Sequence, residues 1–203
     1  MLWHKAWLES RGRFLFGVAA VGAASGYSWY VNRFGVARTT FIVFCFLLGM
    51  GGLLGEQAEG TAPFTLALPV TRFRLVTTRA AVAWLELAAL AVVPPLFTAT
   101  RLESYVLWVA GGSAMFAVAF LASCLFAGEY TAFVVAWIVF FAHTTTTQYV
   151  RLMRPALRPY LFTVQEIMSR LRPFPAPLAV TILAGVSCAL LATAVLLTRQ
   201  RDF

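Results

Sequence analysis

Six apolar runs, separated by shorter polar stretches, divide the chain near residues 13–31, 39–55, 80–99, 105–127, 130–148 and 177–198. Each approaches the roughly 20 residues that a helix needs to cross a ~30 Å hydrocarbon core. The pattern predicts an all-α integral membrane protein of six transmembrane helices, one transmembrane domain over 1–203. Ahead of the first run, residues 2–11 place Trp3 and Trp7 on one helical face and Lys5 and Glu9 on another. That arrangement predicts an N-terminal helix lying in the membrane interface.

Two polar connections are long enough to hold structure of their own. In 56–79, a short helix fits residues 57–68: Thr61 suits a cap, Pro63 an early helical position, and Pro69 a stop. Read on composition alone, it is an ordinary loop with a turn of helix. In 148–176, expected on the outer side, Leu161, Val164, Ile167, Met168 and Leu171 recur at helical spacing before Pro173 and Pro175. A short amphipathic helix on the membrane surface is expected there. Pro94-Pro95 should kink or end the third run. Gly22-x-x-x-Gly26 and Gly51-x-x-x-Gly55 are spacings that let helices approach closely.

Composition strengthens the membrane reading. Of 203 residues, 61% are hydrophobic and 12% charged, and the mean hydropathy is +0.80. A soluble domain of this size carries about twice that charge. The net charge of +8 points to contact with anionic lipids rather than nucleic acid. Cys45, Cys124 and Cys188 all fall inside apolar runs, far apart in sequence. They read as small apolar fillers, not as a disulfide framework or metal site. No cleavable signal peptide is expected, because the first apolar run ends in Tyr27-Ser-Trp-Tyr30. With the N-terminus inside, the sixteen Lys and Arg residues split evenly between the two sides, so the positive-inside rule does not orient the chain.

Chemistry-bearing patterns are few. Lys5, the one lysine, has no glycine-rich context, so no phosphate-binding loop is expected and the chain reads as a non-enzyme. His4 and His143 stand far apart and no metal-ligand spacing occurs. His143 beside Thr144–Thr147 reads as a polar helix end at the outer interface rather than nucleophilic machinery. Glu86 lies about two turns into the third run, where a carboxylate needs a partner or a cavity. It either pairs near the inner interface or serves the pathway or its gating. Glu129 fits a short inner turn between runs four and five.

The stretch Glu56-x-x-Glu59-Gly60-Thr61, then Phe64-x-Leu66-x-Leu68-Pro69-Val70-Thr71-Arg72, resembles the loop after the second span of ABC-2 type transporter permeases. The Trp-rich start, the six runs and the closing Arg199-Gln-Arg201-Asp202-Phe203 extend the resemblance. It implies the membrane-spanning permease subunit of an ABC exporter. Its 56–72 loop would dock a separate ATPase through a coupling helix, with Glu56, Glu59, Gly60, Thr61, Phe64, Leu68, Pro69 and Arg72 at the contact. Glu129 would be a second inner contact. The implied partners are an ATPase dimer holding ATP and Mg, a second permease subunit of the same or another sequence, and membrane lipids. No cofactor is expected in this chain. The implied location is the cell inner membrane, with both termini and the 56–79 loop in the cytosol. Two other classes stay open: a membrane assembly or scaffold protein, and a secondary transporter built around midplane ionisable residues.

Overall fold

A computed structural model describes residues 2–31, 35–50, 71–97, 101–126, 128–154, 161–169 and 176–200. Among these residues every regular element is helical. The elements are α1 (Leu2–Tyr30), α2 (Gly35–Gly49), α3 (Arg72–Leu90), a 3-10 turn (Pro94–Phe97), α4 (Arg101–Leu125), α5 (Glu129–Met153), α6 (Val164–Ser169) and α7 (Ala176–Gln200).

Among the described residues four helical stretches are long and apolar enough to cross a membrane: Phe73–Phe97, Ser104–Leu125, Tyr130–Met153 and Pro177–Thr198. They answer to the last four of the six expected spans. The first two expected spans are helical but fall short of that test. α1 has 29 residues, yet its first half carries Lys5, Glu9, Arg11 and Arg13. α2 is apolar but only 15 residues long.

Several boundaries differ from expectation, each for a physical reason. Residues 2–11 are not a separate interfacial helix, because the chain runs through them into α1 without a break. Lys5 and Glu9, one turn apart at 3.7 Å, brace the backbone there. Thr71 starts α3 eight residues before the third apolar run, its Oγ1 accepting the Arg74 amide at 3.3 Å. α3 ends at Leu90, and Pro94-Pro95 follows in the 3-10 turn, as two prolines require. α5 continues to Met153, five residues past the expected end.

α4 is the centre of the bundle. Buried positions make up 78% of its apolar window, against 22% for α5 and 17% for α7. Phe41 and Phe46 of α2 and Phe116 and Phe120 of α4 are fully buried, with Phe41 edge-on to Trp108 at 5.0 Å and Phe46 edge-on to Trp137 of α5 at 5.3 Å. Glycines set the closest approaches. A β-carbon on Gly112 would stand 2.9 Å from the Phe41 ring, and one on Gly49 would stand 2.7 Å from the Phe116 carbonyl. Small residues at such crossings bring apolar helices into dispersion contact. Among the described residues the Gly22/Gly26 pair does not act this way, since a β-carbon on either meets nothing within 4 Å; Gly51 and Gly55 lie outside the described residues.

Consecutive long helices alternate in direction. One end of the bundle holds the start of α1, where Glu9 meets Arg79 of α3, and the crossing of Gly49 with Ser123. The far end holds Ser28 against Ala37, and the last turns of α5 against α6.

Candidate functional site

The polar side chains gather into two seams and one groove. The first seam lies between α1 and α3. Arg79 is buried on α3 and donates to Glu9 Oε2 at 2.9 Å. Glu86, two turns further on the same face, is 4% exposed. Ser10, next to Glu9, donates its hydroxyl to Glu86 Oε1, and Glu86 Oε2 has no hydrogen-bond partner among the described residues. Among the described residues no arginine is shown on Glu86: Arg79, on its own face, is bound to Glu9. It also sits midway along the candidate span Phe73–Phe97 rather than near its start, because α3 begins earlier than the apolar run. Trp84, on another face of α3, donates Nε1–H to Ser113 of α4 at 2.9 Å.

The second seam closes the far end. Arg151 of α5 forks onto Glu166, Nη1 to Oε1 and Nη2 to Oε2, each at 2.7 Å. Its Nε donates to the Leu161 carbonyl at 3.1 Å. Glu166 also accepts the Thr163 amide at 2.9 Å, while Thr163 Oγ1 accepts the Glu166 amide at 3.3 Å. Thr163-x-x-Glu166 is thus a capping box that starts α6. Arg38 of α2 donates to the Gln165 carbonyl at 3.1 Å. Burial alone would push the Glu166 carboxyl up. The Arg151 hydrogen bonds and charge, with the Thr163 donors, outweigh it and hold the group at about 2.

These bonds turn α6 inward. Val164, Ile167 and Met168 are buried, and a β-carbon on Gly111 of α4 would stand 2.7 Å from Met168 Cε. Among the described residues the expected short helix covers Val164–Ser169, and its apolar face docks on the bundle. The expected apolar spacing was sound, but its partner is α4.

The groove runs between α5 and α7, floored by α4. It encloses about 560 Å³. Its walls are apolar except at the far end, where His143 and Thr147 line it beside Leu161 and Phe162. A second cavity of about 420 Å³ shares His143, Thr147 and Leu161. His143 is thus ten residues inside α5, not at a helix end.

The expected docking residues fare unevenly. Glu56, Glu59, Gly60, Thr61, Phe64, Leu68 and Pro69 lie outside the described residues. Arg72 is the first residue of α3 and Glu129 the first of α5. Both helix starts lie at the end of the bundle that holds Glu9 and Arg79. Cys45 and Cys124 are buried fillers, whereas Cys188 is exposed on α7. The groove and the Arg151–Glu166 fork were not anticipated from sequence, although Thr163-x-x-Glu166 was a readable signal for the second. The chain matches no family model, no curated protein and no solved structure.

Proposed function

We propose that the chain is the membrane-spanning permease subunit of an ABC-2 type exporter, inserted by six passes in the cell inner membrane. The observation that carries this reading is the pattern Glu56-x-x-Glu59-Gly60-Thr61 to Leu68-Pro69-Val70-Thr71-Arg72. What supports it is position: the pattern leads straight into the N-cap of α3, at the bundle end where Arg79 and Glu9 meet. In this reading α1 and α2 are the first two passes, short of apolar length because α1 carries its own charges. Phe64 and Leu68, four residues apart on a helix, give an apolar face that a partner groove buries. Glu56 and Glu59 favour that helix's start and face basic groups on the partner. ATP and Mg act in the partner, and closure of two ATPases pulls on the loop and rocks two permease bundles.

Capture of the cognate ATPase from membranes tests the reading. Phe64→Ala removes an anchoring aromatic worth roughly 2 kcal/mol, about thirtyfold in affinity. Glu59→Lys reverses a charge at the same contact. Both variants are expected to insert normally and to lose the ATPase. Wild-type recovery with both would remove the loop as the docking site. ATPase-independent transport would favour a secondary carrier, and absence of any ATPase partner would favour a scaffold.

A further inference from the structure

The groove between α5 and α7 lies apart from the start of α3, toward the other end of the bundle. α5 and α7 each rest on α4 and are otherwise largely exposed, and Val139 of α5 and Ile182 and Val186 of α7 both line the groove and stand exposed. In a membrane its mouth therefore opens sideways into lipid. The volume of about 560 Å³ falls inside the range of roughly 300–1,000 Å³ typical of ligand sites. Its length along α5, from Ala136 to Thr147, is about 16 Å at 1.5 Å per residue.

The groove is polar at one end only. His143 and Thr147 lie one turn apart on α5, and Arg151 and Arg154 continue the same stripe toward the far end. Arg151 is held by Glu166, and Arg154 is exposed at the end of α5. Among the described side chains at this end, the charged groups are Arg38, Arg151 and Arg154 and one carboxylate, Glu166, a positive balance. The α6 segment, fixed by Arg151 and Arg38, closes the top of the groove with Leu161, Phe162 and Val164. Entry is assigned to the open side between α5 and α7.

From this geometry we infer that the groove binds an anionic amphiphile with one alkyl chain. The chain lies along α5 between Ala136 and Phe140, against Ile182 and Val186. The head stops at His143 and Thr147, under the positive end of the bundle. This polarity is that of a lipid in the leaflet on the far-end side: head at the interface, tail toward the middle. A neutral head of equal chain length loses the attraction of the arginines and binds more weakly.

The test uses the full chain in phosphatidylcholine vesicles with a photoreactive long-chain carboxylate, the labelled residues being mapped after irradiation. Labelling is expected to concentrate on Ala136–Thr147 and Ile182–Leu190. Unlabelled long-chain carboxylate should compete about tenfold better than the matching alcohol. Val186→Trp fills the mouth from an exposed position and should reduce labelling about tenfold. Arg154→Gln removes an exposed positive charge at that end and should reduce the preference for carboxylate over alcohol severalfold while retaining labelling. Even labelling over the outward faces of α1, α5 and α7 would mean annular lipid and overturn the site. Equal competition by the alcohol would overturn the anionic head. Cross-links between two copies through groove residues, with no ligand labelling, would give the groove to a second chain and overturn it as well. The readout is binding, so failure here leaves the ATPase-docking test untouched.

Discussion

Arg151, two residues before the end of α5, places two guanidinium nitrogens 2.7 Å from the two carboxylate oxygens of Glu166. The pair does more than join two charges. Glu166 is also the reciprocal acceptor of the capping box with Thr163, and Arg151 reaches the Leu161 carbonyl as well. One fork therefore fixes both the start of α6 and the approach to it. Planar, bidentate geometry of this kind is specific to arginine.

Removing either partner should release α6. Glu166→Gln leaves the buried guanidinium short of a charge partner and breaks the fork, an expected loss of about 3 kcal/mol. Arg151→Lys should recover less than half of that, since an ammonium cannot fork. Thermal unfolding in mild detergent measures both, and a wild-type midpoint for Glu166→Gln would contradict the role given to the pair.

The same pair predicts a pH dependence with a definite sign. The folded-state value of Glu166, about 2, lies below its ordinary 4.5. A depressed carboxyl stabilises the fold above the unfolded value and loses that contribution as pH falls. The loss should run from about pH 4.5 down to about 2, with up to about 3 kcal/mol at stake. Wild type and Glu166→Gln should therefore converge in stability as pH falls through that window. A constant difference between them would show that the carboxylate does not titrate as its partners dictate.

The glycines show what sequence spacing can and cannot convey. Gly22-x-x-x-Gly26 has the right pattern for close helix contact, yet neither position faces a neighbour. Gly111 and Gly112, adjacent in sequence and so on different faces, each meet a separate element: Met168 of α6 and Phe41 of α2. A local pattern records which residues are small. It does not record which face the fold turns inward. Gly22→Ala should be neutral or stabilising by up to about 1 kcal/mol, as a helical alanine is. Gly112→Leu drives a side chain into Phe41 and Cys45 and should cost roughly 1–3 kcal/mol. Melting curves of the two variants with opposite shifts would support this placement, and equal shifts would refute it.

Hydropathy predicted the helical class and six spans, of which the last four have candidates among the described residues, because a long apolar run in lipid must satisfy its own backbone. The ends of the helices were less legible. Thr71 caps α3 well before the apolar run begins, and α5 continues through Thr144–Thr147 to Met153, because polar residues that face a groove or a partner do not break a helix. The groove was illegible for a related reason: it is made by α4, α5 and α7 together, and Ala136, Val186 and Leu190 look like any other span residues.

Orientation is the next expectation. Charge splits evenly, so the expected orientation follows from the proposed docking loop: residues 56–79 and both termini should face the cytosol. In a background lacking Cys45, Cys124 and Cys188, Arg158→Cys should react with an impermeant thiol reagent in whole cells. Gln57→Cys should react only after the cells are opened. The reverse pattern would invert the protein and move the docking loop away from any cytosolic ATPase.

The last expectation concerns Glu86, which sits 4% exposed with Ser10 as its partner. Arg79, on the same face, is already bound to Glu9 at 2.9 Å, so the hydroxyl carries the contact. Ser10→Ala leaves both oxygens of a buried carboxyl without a donor among the described residues and should cost about 1–3 kcal/mol. In a Glu86→Leu background the same serine change has nothing to strand, and its cost should fall below about 0.5 kcal/mol. Glu86→Gln should unfold close to wild type, because its amide oxygen can accept the serine hydroxyl and a neutral amide is less costly to bury. A cycle of thermal midpoints isolates the coupling between the two residues. Equal serine effects in both backgrounds would dissolve the contact and leave Glu86 without a structural role. A strong coupling with normal stability of Glu86→Gln makes that variant the clean probe for transport. Lost substrate response of the partner ATPase would then place Glu86 in the pathway, and an unchanged response would confine it to the α1–α3 seam.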